Sequence, residues 1–173
     1  MNKMVNKMAV KGKKRTRGKK RRRKREKDGS MKKFEFLDIA PADAAFVAYG
    51  RNLNEVFANA ALAVFEIITE TKKVGTVQKI TVDVSGYDLK SLMFAWLNEL
   101  LFISSSESLV FSKFEVGVEE KDKERVSLKA ACYGEKMNPS KHEIRAEVKA
   151  ITYHKMEIKK EGDIWKAQVI VDL

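Results

Sequence analysis

Between residues 34 and 173 the hydrophobic positions change their spacing several times, and each change marks an element. Phe34 to Ile39 alternates with a period of two and predicts a first strand. Pro41 breaks the pairing, and Ala44 to Tyr49 resumes as a second extended piece ended by Gly50. From Leu53 the spacing becomes helical, with Val56, Phe57, Ala60, Ala61, Val64, Phe65 and Ile68 on one stripe of a helix over 52–68. Asn52, followed three residues later by Glu55, supplies its N-terminal cap. The Ala60-Ala61 step predicts close approach to a sheet. Val77 to Val84 is a strand, and Asp88 caps a second helix over 88–103. That helix carries Leu89, Leu92, Met93, Trp96, Leu97, Leu100 and Leu101, widened by Phe94, Phe102 and Ile103, so it should be covered on most sides. Ser104-Ser105-Ser106 reads as the start of a loop.

The remainder is strand after strand. Phe111 to Glu119 and Arg125 to Tyr133 form a hairpin across the charged turn 120–124, and 134–144 is a loop carrying Asn138-Pro139. Arg145 to Lys159 is the next strand, turned by Gly162-Asp163 into a last one, Ile164 to Val171. Two helices and about seven hairpin-linked strands predict an α+β fold, with the helices against a mostly antiparallel sheet.

Charge divides the chain in two. Residues 1–30 hold 15 Lys and Arg against Glu26 and Asp28, while residues 31–173 carry 20 basic and 22 acidic side chains. The expected organisation is therefore a disordered polybasic extension, 1–30, and one α+β domain, 31–173. The extension has no aromatic residue for base stacking, so Arg21, Arg22, Arg23, Lys24 and Arg25 would meet nucleic acid through phosphates, without sequence preference. Met31-Lys32-Lys33 also reads as a natural start, which leaves open whether the extension is functional or lies upstream of the true start. A single cysteine, Cys132, excludes an internal disulfide and a Cys-based zinc cluster, and reads as a small core residue. With no apolar run of transmembrane length and no signal-peptide h-region, the expectation is a cytoplasmic protein with no membrane association.

Candidate chemistry is sparse. The chain has no Gly-rich phosphate loop, no nucleophile elbow and no zinc-spaced pair of Cys or His. His154 reads as a satisfied strand residue, and His142, in the loop, as one that could face a partner. Glu99 reads as a solvated or capping acid. In the strand around Glu147-Val148-Lys149-Ala150-Ile151-Thr152-Tyr153-His154, Lys149 shares a face with Ile151 and Tyr153. A partly buried ammonium there needs an anion, for which Asp43 and Asp172 are the first suppliers. The bland alternative is a snorkelling surface lysine. Asp43 lies at the strand break; Asp172 ends the last strand beside the α-carboxylate of Leu173. Two or three oxygens from such a spot suit a hard cation, although the residues alone equally allow two surface acids.

Residues 33–173 resemble the archease family. The resemblance is carried by Phe34-Glu35-Phe36-Leu37, Ala42-Asp43, Ala48-Tyr49-Gly50, Leu53 through Leu62, Leu97-Asn98-Glu99-Leu100-Leu101, Tyr133-Gly134-Glu135, Lys141-His142, Val148 to His154 and Val171-Asp172-Leu173. It implies an accessory protein, itself no enzyme, that promotes guanylylation of the GTP-dependent tRNA-splicing ligase and so allows multiple turnover. That ligase joins 3′-phosphate or 2′,3′-cyclic phosphate ends to 5′-hydroxyl ends. The implied site is a divalent cation, Ca²⁺ before Mg²⁺ or Mn²⁺, held by Asp43, Asp172 and an oxygen of Leu173, with Lys149 acting in partner activation. Where the family has His-Thr-Ala-Asp, this chain has Ala40-Pro41-Ala42-Asp43, so Asp38 enters as an additional acid. Two other readings compete. One is a non-specific RNA-binding protein or RNA chaperone working through the basic extension. The other, a free-standing metal-dependent hydrolase, lacks a general base or nucleophile pair.

Overall fold

The computed structural model describes residues 29–38 and 43–173, so the Arg21 to Arg25 run and the Ala40-Pro41 break lie outside the described residues. Met31 to Leu173 forms one compact unit. Its elements are β1 (Phe34–Leu37), β2 (Asp43–Gly50), α1 (Leu53–Ile68), β3 (Gln78–Gly86), α2 (Leu89–Glu107), β4 (Leu109–Asp122), β5 (Arg125–Lys136), β6 (Ala150–Glu161) and β7 (Ile164–Asp172), with a 3-10 turn at Thr71–Lys73. The strands divide between two antiparallel sheets, ordered β1-β2-β7-β6 and β3-β5-β4. The α+β expectation holds.

Both helices begin where capping chemistry starts them. Asn52 Oδ1 accepts from the Glu55 N–H at 2.9 Å. Glu55 returns the bond one residue earlier than a capping box would, accepting from the Arg51 N–H at 2.8 Å. At α2 the Asp88 carboxylate accepts from the Ser91 N–H at 2.7 Å, and the Ser91 hydroxyl accepts from the Asp88 N–H at 3.0 Å. That backbone bond lowers the Asp88 pKa. The capped helices then bury their stripes. α1 touches β2 and β7 on one sheet and β4 on the other, while α2 touches β6 and β3. One core therefore joins both sheets. Ala60, Ala61 and Ala63 are completely buried, and Trp96 Nε1 donates to the Phe57 carbonyl at 3.1 Å between the helices. Each fully buried Phe of this core (Phe46, Phe57, Phe65, Phe111) stabilises by about 1.5–3 kcal/mol.

Four expectations are corrected. Ser104 to Ser106 continue α2 instead of starting a loop. The Ser104 hydroxyl donates to the Leu109 carbonyl at 2.6 Å, and Ser108 ends the helix in the left-handed region. Phe102 of this helix is 67% exposed, so the helix is covered on less of its girth than its apolar content implied. The segment 145–149 is not assigned to a strand, and β6 starts only at Ala150. There Arg145 donates its N–H to the Ile68 carbonyl at 2.9 Å and its guanidinium to Glu66 at 2.7 Å, so the chain is occupied in closing the C-terminus of α1. Finally, β5 runs to Lys136, past the expected loop boundary. Gly134 permits this: a Cβ there would lie 1.9 Å from the Val110 carbonyl oxygen on β4.

Strand β6 is itself irregular. Thr152 pairs with Ile170, and the next pair is Glu157 with Gln168, so five steps on β6 match two on β7. Lys155, inside this bulge, has φ +53°. The bulge resets the face of the strand, burying both Ile151 and Met156 and leaving Tyr153, which packs edge-on against Phe94, and His154 outward.

Candidate functional site

The strand register places the candidate acids side by side. Asp43 at the start of β2 is the direct partner of Asp172 at the end of β7, and Asp172 is in turn the partner of Ala150 on β6. Directly opposed residues of an antiparallel pair point to the same face with Cβ atoms about 4.5–5.5 Å apart. Val171, the neighbour of Asp172, is buried in the core, so both carboxylates stand on the opposite, outer face of the four-stranded sheet. Like charges so placed repel. Among the described residues neither carboxylate is held by an ion pair.

Lys149 joins this end of the sheet through two bonds. Its backbone N–H donates to the Asp172 carbonyl at 2.9 Å, and its Nζ donates to the Leu173 carbonyl oxygen at 3.0 Å. Asp43 of β2, Asp172 and Leu173 at the end of β7, and Lys149 just ahead of β6 therefore converge. The environment of Lys149 differs from the sequence reading, because the residue sits just ahead of β6 and is exposed. Its link to the acids comes from the C-terminal backbone, not from burial. Asp38, one residue beyond β1, is exposed and borders the undescribed 39–42 segment.

The donor set is all oxygen: two carboxylates with main-chain and terminal oxygens of Leu173. Among the described residues no three His, Cys, Asp or Glu side chains cluster, so a cation here would complete its shell with water. That set fits a hard divalent cation and not zinc or copper.

The histidines exchange their expected places. His142 is buried: its Nδ1 accepts from the Asn138 N–H at 3.0 Å, so its Nε2–H donates to Glu135 at 2.9 Å. His154 is exposed in the β6 bulge. The same Glu135 oxygen also accepts from the Gly75 N–H and from Lys141, each at 2.6 Å. Led by the Gly75 bond, these donors hold the Glu135 pKa down to about 2. The sequence analysis did not anticipate this cluster; the short spacing within 134–142 is the signal that could have found its loop members, whereas the Gly75 contribution, 60 residues away, has none. Cys132 is buried as expected, and burial raises its thiol pKa to about 12.

Thr152 is the site neighbour that sequence reasoning passed over. It lies on the outer face of β6, two residue pairs in from Asp172 along the ladder, and among the described residues its buried hydroxyl, like that of Thr69, has no hydrogen-bond partner. Among the described residues, no helix is long and apolar enough to cross a membrane.

Comparison with known proteins converges on one group. The model of the Archease protein family (MTH1598/TM1083) matches residues 34–173. The archease of Methanothermobacter thermautotrophicus is 48% identical over 143 residues, spanning 83% of this chain and 100% of that protein. The archease of Sulfurisphaera tokodaii is 46% identical over the same spans. Among solved structures, Methanobacterium thermoautotrophicum protein 1598 matches with a TM-score of 0.74 at 48% identity, covering 83% of this chain and 100% of that one. A crystal structure of an archease described as a possible chaperone, from Thermotoga maritima, shares the fold at a TM-score of 0.50 and 16% identity. The chain belongs to the archease family.

Proposed function

We propose that this protein is an accessory factor of the GTP-dependent tRNA-splicing ligase, stimulating guanylylation of that enzyme and hence its repeated turnover. The observation that carries the reading is the convergence of Asp43, Asp172, Leu173 and Lys149 at one end of a sheet. A divalent cation, in the first place Ca²⁺, would supply positive charge between the two carboxylates. Asp43 and Asp172 hold it; the Leu173 oxygen completes the protein's share of the shell. Lys149 is fixed by its backbone bond and presents an ammonium at the rim, where triphosphate oxygens of the ligase's nucleotide can be oriented. This assigns the chain binding and positioning, and leaves the covalent chemistry to the partner.

The test is guanylylation of the cognate ligase with GTP, with and without this protein. Asp43→Ala, Asp172→Ala and Lys149→Met should each reduce stimulation by at least about tenfold while the variants stay folded, the range typical for lost positioning of a reacting group. Full stimulation by the aspartate variants would sink the proposal. A second reading, RNA binding through residues 1–30, is favoured by the concentration of 15 basic side chains there. It is compatible with the first as a delivery role.

A further inference from the structure

The Lys149 ammonium meets the acid-bearing end of the sheet at one atom. Its Nζ donates to the Leu173 oxygen at 3.0 Å, and among the described residues no ion pair joins it to Asp43 or Asp172. The cation reading assigns a Leu173 oxygen to the metal, so lysine and cation lay claim to the same group. Leu173 itself is held, since its side chain packs against the core. Lys149 is tied separately: its backbone N–H donates to the Asp172 carbonyl at 2.9 Å. Letting go of Leu173 therefore moves only the four-carbon stem and leaves the residue in place. The hold on the ammonium is weak, because the side chain is exposed and pinning a long lysine arm costs rotamer entropy. A divalent cation gripped by two carboxylates brings more charge to the shared oxygen, and it repels an ammonium placed there.

We infer that the Lys149 ammonium and a divalent cation are alternative partners of Leu173, so that cation binding releases the lysine side chain toward solvent. The inference rests on the cation reading above and adds its regulation: the ammonium is offered to an incoming anion, such as a phosphate oxygen, only with the cation in place. Lys149 then competes with the cation, and removing its charge tightens the cation site. Loss of a ligand or of a structural support would act in the opposite direction.

The experiment measures binding of CaCl₂, and separately MgCl₂, by calorimetry to full-length wild type, Lys149→Met and Lys149→Arg. Alongside, the rate of amine acylation at Lys149 is followed by mass spectrometry in wild type and Asp43→Ala, with and without the cation. Expected are binding tightened by roughly two- to fivefold in Lys149→Met, the range an exposed ion pair commands, and binding close to wild type in Lys149→Arg, which keeps the charge and the donor. Acylation of Lys149 should speed up when the cation is added to wild type and stay constant in Asp43→Ala. Equal or weaker cation binding by Lys149→Met would show that Leu173 serves both partners at once, and the inference falls alone. It falls equally if the cation leaves wild-type acylation unchanged, or speeds it as much in Asp43→Ala. If wild type binds neither cation, the cation reading falls and this inference with it. The acylation comparison needs no Lys149 variant, so it decides the matter even if Lys149→Met does not fold.

Discussion

Glu135 concentrates more polar bonds than any candidate site residue, and they are structural. Three donors meet one of its oxygens, two from the loop after β5 and one from Gly75, so the carboxylate ties the 137–142 loop to the segment that follows α1. Glu135→Gln keeps the shape but loses the charge, and should cost about 1–3 kcal/mol, the scale of lost hydrogen bonds to a charged, partly buried group, read by urea unfolding at neutral pH. The pH dependence has a definite sign. The folded pKa, about 2, lies below the ordinary 4.5. The stabilisation is therefore complete above pH 4.5 and lost as pH falls from there toward 2. Glu135→Gln should flatten that part of the acid limb. Single residues also mark the limits of sequence reading: Lys149 was legible as a charge in need of an anion, yet its anchor is a main-chain carbonyl, which no side-chain pattern encodes.

At the scale of elements, α1, α2 and the hairpin of β4 and β5 were legible, because period, caps and turn residues agree there. Strand β6 was not. Alternation from Val148 to Met156 suggested one unbroken strand, but only the bulge can bury Ile151 and Met156 together. The competing signal was tertiary: Met156 is needed in the core, and the chain takes up the mismatch in four exposed or bulged positions. Lys155 adopts φ +53°, a conformation costing an L-residue about 1–2 kcal/mol. Lys155→Gly should recover part of this, raising stability by up to about 1 kcal/mol, measurable as a shifted urea midpoint with unchanged slope. Lower stability in that variant would mean that the lysine side chain, and not the backbone, maintains the bulge. The serine-rich end of α2 misled for a related reason, since its hydroxyl is satisfied by a backbone carbonyl beyond the helix.

Over the whole molecule, charge is partitioned along the sequence. The compact unit from Met31 onward is close to neutral in sequence, with 20 basic and 22 acidic side chains, and the excess positive charge is confined to residues 1–30. A chain starting at Met31 should therefore unfold at the same midpoint as the full protein but lose binding to generic single-stranded RNA, as read by fluorescence anisotropy at low salt. In the full protein that binding should weaken steeply as salt rises, because it depends on counterion release. Unchanged RNA affinity after truncation would move the nucleic-acid surface onto the folded unit. The residues alone offered Asp43, Asp172 and Lys149 as candidate partners and the family resemblance singled them out; their assembly required the register of β2, β7 and β6, a long-range property that joins positions 43, 149 and 172.

The opposition of Asp43 and Asp172 has a thermodynamic consequence. Two carboxylates placed face to face across a ladder store mutual repulsion in the native state, and the unfolded chain, where they are far apart, is spared it. Any cation that binds between them therefore binds the native state selectively, and each tenfold rise in its free concentration above the dissociation constant deepens the native well by about 1.4 kcal/mol. Under the proposed cation reading, the melting temperature of this protein would gauge how full the site is. A fold that keeps such a pair gives up some intrinsic stability, and if the proposed cation binds there, the protein's persistence is coupled to the supply of that cation.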